Sequence, residues 1–160
     1  MPRDIYVTQR CQEIEFALSD AKSWSISNAK LGAYLAGYLT VVMTGVVEDC
    51  VEYLVGQRAA RAQDLELRAF ISKMAGEHFR NPDYAQIARF LRAFSESYRD
   101  NFSAKIPPNG SAASALNSVV DNKNSLGHVG IFKFQVTVGD MEDYYHRIIP
   151  LLETLEDILL

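Results

Sequence analysis

Several elements on which common enzyme classes depend are missing from this chain of 160 residues. It has two cysteines and three histidines, and neither Cys-x-x-Cys nor His-x-x-x-His occurs, so the spacing typical of a zinc site is missing. It also lacks a glycine-rich phosphate loop, a Ser-His-Asp signature and a nucleophile elbow. We therefore expect neither a bound metal nor a cofactor.

Positive charge is also scarce, since the net charge is -4 with 22% charged residues. This argues against a protein that coats nucleic acid generally, because such binding depends on cations at the phosphates. A local basic patch stays open, because the middle of the chain is rich in arginine. Acidic residues are interleaved with these arginines, which favours an exterior of mixed charge.

The two cysteines, Cys11 and Cys50, both fall in the apolar register of a predicted helix. They are either a disulfide or, as we favour, two reduced core thiols. No apolar signal region follows Met1, so we expect a cytoplasmic protein. The charge-free run Leu31–Val47 approaches the length of a membrane span, but the same helix continues into Glu48 and Asp49. A central helix covered by others explains this run better than a membrane does.

Apolar periodicity predicts an all-α fold in one domain, residues 1–160, as an up-and-down bundle of five to seven helices. The predicted helices are Pro2–Lys22, a long central second helix Ala29–Arg61, Asp64–Phe79, one from Tyr84 that either extends or kinks towards Phe102, one capped by Ser111, and one after Thr137. Ile131–Val136 alternates apolar and polar residues and is either a short strand or, as we favour, an extended connector. Core faces are expected to include Tyr34 and Tyr38 on the second helix and Leu65, Phe70 and Met74 on the third.

Chemistry-bearing residues concentrate in one stretch near the end of the helix that starts at Ser111. Within it, Lys123, Asn124 and His128 bring a cation, an amide and an imidazole together. Asn124 and His128 are four residues apart and share a helix face. Lys123 and His128 are five apart, about 140° around a straight helix. They can meet only through the lysine stem, through a helix that ends near Gly127 or Gly130, or across a symmetric dimer.

The stretch Val119-Val120-Asp121-Asn122-Lys123-Asn124-Ser125-Leu126-Gly127-His128-Val129-Gly130 resembles the signature of the HEPN superfamily, in particular its RiboL-PSP-HEPN-like branch. That signature is Arg, a polar residue, several positions and His, followed by Gly. Asn124 and His128 match it, whereas Lys123 stands where the family has arginine. The acidic turn around Glu48 and Asp49 is similar to one on the long second helix of this branch.

The resemblance implies a metal-independent endoribonuclease of a toxin–antitoxin or antiviral-defence type, acting as a homodimer with a composite cleft. His128 would be the acid-base group as a ribose 2′-hydroxyl attacks the adjacent phosphate. Lys123 would neutralise phosphate charge, with a single ammonium in place of the arginine fork. Asn124 would orient His128, and Glu48 or Asp49 would accept a hydrogen bond from His128 or Lys123.

Each of these residues also has a purely structural interpretation. Lys123 and Asn124 can be solvated surface residues, His128 can pack near a helix end, and Glu48 and Asp49 can mark the solvent edge of their helix. The alternative function is therefore a catalytically silent HEPN-like module that binds RNA or a partner protein, such as an antitoxin or an effector. A third hypothesis is an interaction bundle unrelated to HEPN proteins. For the dimer, we expect the motif-bearing helix and the last helix at the two-fold interface.

Overall fold

A computed structural model describes residues 2–25, 28–129 and 135–160, without the side chains of residues 29, 78 and 127–129. Within these ranges the chain forms seven helices: α1 (Ile5–Ser25), α2 (Ala29–Ala60), α3 (Leu65–His78), α4 (Tyr84–Phe94), α5 (Glu96–Lys105), α6 (Ser111–Val129) and α7 (Val138–Leu159). No strand occurs in the described ranges, so the predicted all-α bundle is confirmed. Most of the predicted connector Ile131–Val136 lies outside the described residues.

The long helix α2 forms the centre of the bundle and packs against α1, α3, α6 and α7. Its two buried threonines satisfy their hydroxyls locally. Thr40 donates to the Ala36 carbonyl at 2.9 Å, and Thr44 donates to the Thr40 carbonyl at 2.8 Å. Polar side chains are thus accommodated inside the bundle without unpaired hydroxyl groups.

By length and composition alone, one helix among the described residues could cross a membrane. This is Lys30–Ala60, and 44% of its most apolar window is buried inside the protein. A buried core helix passes the same test, and α2 is covered by four other helices. The expected cytoplasmic location stays a prediction.

Side-chain caps define most helix starts. Asn28, Asp64, Asp83 and Thr137 accept hydrogen bonds from first-turn amides, and the last two form capping boxes with Gln86 and Asp140.

Several helix boundaries differ from the sequence predictions, and three of the differences concern how a helix is capped. Asp4 accepts from the amides of Tyr6 and Val7, so α1 starts at Ile5 rather than at Pro2. Ser111 is the first residue of α6 rather than its cap. Ser95 ends α4 and caps α5. The chain therefore forms two separate helices here, whereas the sequence predicted one helix that either extends or kinks.

The core receives buried side chains from all seven helices. The predicted stripe of α1 is fully buried, as Val7, Cys11, Ile14, Leu18 and Ala21. Several other core assignments were wrong, because their side chains lie on outward faces. The exposed ones are Tyr34 and Tyr38 on α2 and Leu65, Phe70 and Met74 on α3.

The buried thiols of Cys11 and Cys50 are free, as favoured from the sequence. Burial is the main cause that raises their pKa values, to about 11 for Cys11 and higher still for Cys50.

We expect both thiols to resist alkylation at pH 8, because each stays protonated and enclosed in the folded protein. Iodoacetamide labelling followed by mass spectrometry should show no adduct in buffer and two adducts in denaturant. Rapid labelling of the folded protein would contradict this account of the core.

The N-terminal segment is held by a carboxylate of the last helix. Glu156 is buried and accepts the amides of Arg3, at 2.8 Å, and Asp4, at 2.8 Å. Its neighbour Asp157 is more exposed and binds the side chains of Arg3 and Lys105. The two adjacent carboxylates thus differ in burial and in the kind of donor they accept.

We expect Glu156→Ala to lower the free energy of unfolding by about 1–3 kcal/mol, because it leaves two amides without their acceptor. The matched change Asp157→Ala removes only exposed ion pairs and should lower the free energy of unfolding clearly less. Urea unfolding of the two variants tests this order, and equal losses would contradict it.

Candidate functional site

The helix α6 continues without interruption through the motif to Val129. A helix end at Gly127, one of the routes by which Lys123 and His128 could meet, is therefore ruled out. The backbone positions 123 and 128 lie about 140° apart around the helix. The side chain of His128 lies outside the described residues, so its orientation and its expected hydrogen bond with Asn124 stay predictions.

Lys123 lies on the side of α6 that faces the core. It follows the buried residues Leu116, Val119 and Val120 at helical spacing and is itself half-buried. Its ammonium donates to Oδ1 of Asn81, in the connection between α3 and α4. Long lysine stems commonly cover apolar surface in this way while the charge reaches a polar group.

Asn81 is in turn anchored to the central helix. Its backbone N–H donates to Oε2 of Glu48 at 3.3 Å. Asn81 therefore joins a carboxylate of α2 to an ammonium of α6, and the three residues form what we call the Asn81 bridge. Glu48 and Lys123, both predicted site residues, are connected through the backbone and the side chain of Asn81 and not by a direct bond.

The backbone of Asn81 has a φ of 55°, the one positive value of a non-glycine residue in the described part of the chain. Asparagine tolerates this left-handed conformation better than most residues do. The next residues are Pro82, which is buried, and Asp83, which caps α4. The turn thus places the Asn81 side chain towards α6 while α4 begins in a new direction.

The other two predicted residues lie elsewhere. Asn124 is exposed, one position and about 100° around from Lys123. Asp49 forms an ion pair with Arg10 of α1. It also lines a pocket of about 330 Å³ together with Glu52, Tyr6 and Tyr53.

The α2 surface near the Asn81 bridge is acidic. Burial, followed by the nearby carboxylates Glu48 and Asp49, raises the pKa of Glu52, and Arg80 opposes this shift. Arg10 forms an ion pair with Asp49, so three carboxylates and two arginines share this part of the surface.

Sequence reasoning missed Asn81. The Asn81-Pro82-Asp83 tripeptide indicated only the end of one helix and the start of the next. Its signal was present, because asparagine before proline is typical of a turn with special backbone angles. What the sequence could not show is that this turn lies beside Lys123, which is 42 positions away along the chain.

Comparison of the chain with protein families, curated proteins and solved structures gives no match. The HEPN resemblance therefore continues to depend on the motif residues alone.

The Asn81 bridge predicts a particular order of stability. Asn81→Ala removes the acceptor and places an ordinary residue in the left-handed region, which costs roughly 1–2 kcal/mol by itself. Asn81→Gly removes the same acceptor but tolerates the backbone angle. Thermal unfolding should rank the wild type first, Asn81→Gly second and Asn81→Ala last, with the exposed Asn124→Ala close to wild type. Equal losses for both Asn81 variants would contradict the role of the backbone.

Proposed function

We propose that this chain is a catalytically silent HEPN-like module that binds a partner protein. The observation that carries the proposal is the position of Lys123, whose ammonium is bonded to Asn81 on the core-facing side of α6. In a working HEPN-like site this cation would lie on the scissile phosphate. Here it stabilises the contact between α6 and the turn before α4.

The chemistry of Lys123 also differs from that of the arginine in the HEPN signature. Lysine offers a single charged nitrogen, so it cannot grip two phosphate oxygens through the planar fork of arginine. A cation that is held by Asn81 and lacks the planar fork supplies less of the stabilisation that phosphoryl transfer requires.

A protein partner fits the surface better than RNA does. The net charge is -4, and α2 carries Glu48, Asp49 and Glu52 within one turn and a half. On the outward side of α2, Tyr34, Tyr38 and Val41 form an exposed stripe at helical spacing. Exposed aromatic side chains on an acidic protein favour protein contacts over phosphate contacts. By the resemblance, the partner would be a toxin, an antitoxin or an effector of a defence system.

The second candidate is a metal-independent endoribonuclease, and two observations favour it. The helical backbone from Ser111 to Val129 keeps positions 124 and 128 one turn apart, and Asn124 is open to solvent. The Lys123 ammonium also has three N–H donors, of which the bond to Asn81 uses one.

A cleavage assay with single-stranded RNA separates the two functions. We expect wild-type protein and His128→Ala to give the same background, with or without a chelator. We also expect Lys123→Arg to create no activity, because Asn81 and Glu48 hold this position on the core side. Lys123→Ala serves as the matched control for the loss of charge.

Cleavage by the wild type that falls by about 10²- to 10⁴-fold in His128→Ala would instead establish an acid-base role for this histidine. The silent-module proposal would then be wrong. Circular dichroism of each variant shows whether a change in cleavage reflects unfolding.

A further inference from the structure

An apolar groove of about 430 Å³ lies between α3 and α4, and none of the residues that line it belongs to α6. Leu67, Phe70 and Met74 form its α3 wall, and Phe90 and Phe94 form its α4 wall. Arg89 is the one charged residue among those that line it. A groove of this size and composition is suited to apolar side chains from another molecule.

The α3 wall is a stripe that the bundle leaves uncovered. Phe70 is 61% exposed, Leu67 46% and Met74 37%. Their spacing of three and four residues places them on one side of the helix. The same helix contacts the core through Ala75, and the residue after its end, Phe79, is buried as well. α3 therefore carries one apolar face for the bundle and a second one that points outwards.

We propose that a second copy of this chain fills the groove, with α3 of one protomer packed antiparallel against α3 of its partner about a two-fold axis. Phe70 of each protomer enters the groove of the other, next to Leu67. A two-fold interface is self-complementary, so one stripe supplies both halves of the contact.

The charges beside the apolar stripe of α3 favour a second copy of the chain as the partner and favour antiparallel packing of the two α3 helices. Glu66 and Lys73 lie seven residues apart on the same edge of α3, and both are exposed. When Leu67 of one protomer faces Phe70 of its partner, Glu66 lies within about 3 Å of axial rise of the partner's Lys73. Symmetry repeats the pair, so two opposite-charge contacts form along the edge. In a parallel arrangement this edge would face the opposite edge of the partner helix, so Glu66 and Lys73 would not meet across the interface.

Within one protomer, Lys73 contributes little to stability. The Lys73 ammonium lies 3.9 Å from Glu77, and both side chains are largely exposed. Exposed pairs of this kind contribute little, so their rearrangement in a dimer is not opposed.

This interface differs from the one expected from the motif, which involved α6 and α7. The apolar face of α7 is buried within the chain, against α1, α2, α5 and α6. The inference also does not depend on the proposed function, because a silent module and a ribonuclease could both dimerise through α3.

Sedimentation velocity of the full chain at low ionic strength, from about 1 to 100 µM, tests the proposal. The wild type should be a dimer, and Phe70→Glu should be a monomer at every concentration. The matched control is Phe16→Glu on α1, where the phenylalanine is 70% exposed but far from the groove along the chain. That variant should dimerise like the wild type, as should Asn124→Arg on α6. Circular dichroism should show native helix content in all of them.

A charge reversal tests the direction of packing. Glu66→Lys and Lys73→Glu should each weaken the dimer by roughly tenfold, because each change places like charges at two symmetric contacts. The double variant Glu66→Lys with Lys73→Glu should return the dissociation constant to within about threefold of wild type.

A monomeric wild type would overturn the proposal, as would a dimer that Phe70→Glu leaves intact. Loss of the dimer in Asn124→Arg but not in Phe70→Glu would move the interface to the motif-bearing helix. A double variant no better than either single one would exclude the antiparallel register.

Discussion

The burial of α2 is the constraint on which the other features depend. Four helices cover it, so the stretch Leu31–Val47 of α2 is free of charge and its threonines donate to carbonyls of the same helix. Acidic residues enter the helix only at Glu48, close to the turn that joins α3 to α4. The carboxylate of Glu48 accepts from the backbone amide of Asn81 in that turn, so the first acidic residue of α2 also holds the place where the chain reverses.

Lys123 is a consequence of the same arrangement. It occupies a core-facing position of α6, one turn beyond Val119 and Val120, where an apolar side chain would be expected. A lysine is accommodated because its stem covers apolar surface and its ammonium reaches the Asn81 oxygen. An arginine at this position would present five donors in a fixed plane to the single acceptor that the structure provides. The difference from the HEPN signature thus agrees with the local packing.

The apolar periodicity of the sequence was sufficient to predict the helices but not to predict which face of α3 is buried. In α1 the five apolar residues of the predicted stripe, from Val7 to Ala21, are buried, since this helix has a single apolar side. In α3, Phe70 and Met74 follow the same spacing as core residues but face outwards, while the core contact falls to Ala75. A sequence pattern shows that a stripe is apolar, but it does not show whether the bundle or another molecule covers it. Such stripes can be identified only when the neighbouring helices are in place.

The site could be predicted only in part, for a related reason. Asn124 and His128 follow from their spacing along one helix, and Glu48 was identified as an acidic residue on an otherwise apolar helix. Asn81 could not be added, because the contact that matters joins residues far apart in sequence. Asp49 shows that neighbours in sequence can have different partners. Glu48 joins the Asn81 bridge, whereas Asp49 forms an ion pair with Arg10.

The position of Asn81 before Pro82 has a chemical consequence for the lifetime of the protein. Asparagine deamidates slowly when the backbone nitrogen of the next residue attacks the side-chain carbonyl carbon and ammonia leaves. The proline nitrogen carries no hydrogen and cannot readily make this attack. Asn109, in contrast, is exposed and precedes Gly110 in a turn, so its amide should be lost first as the protein ages. Pro82 therefore protects the Asn81 side chain, which is the acceptor of Lys123, against deamidation. The link between α2 and α6 should outlast the side-chain amide of Asn109 in the loop before α6.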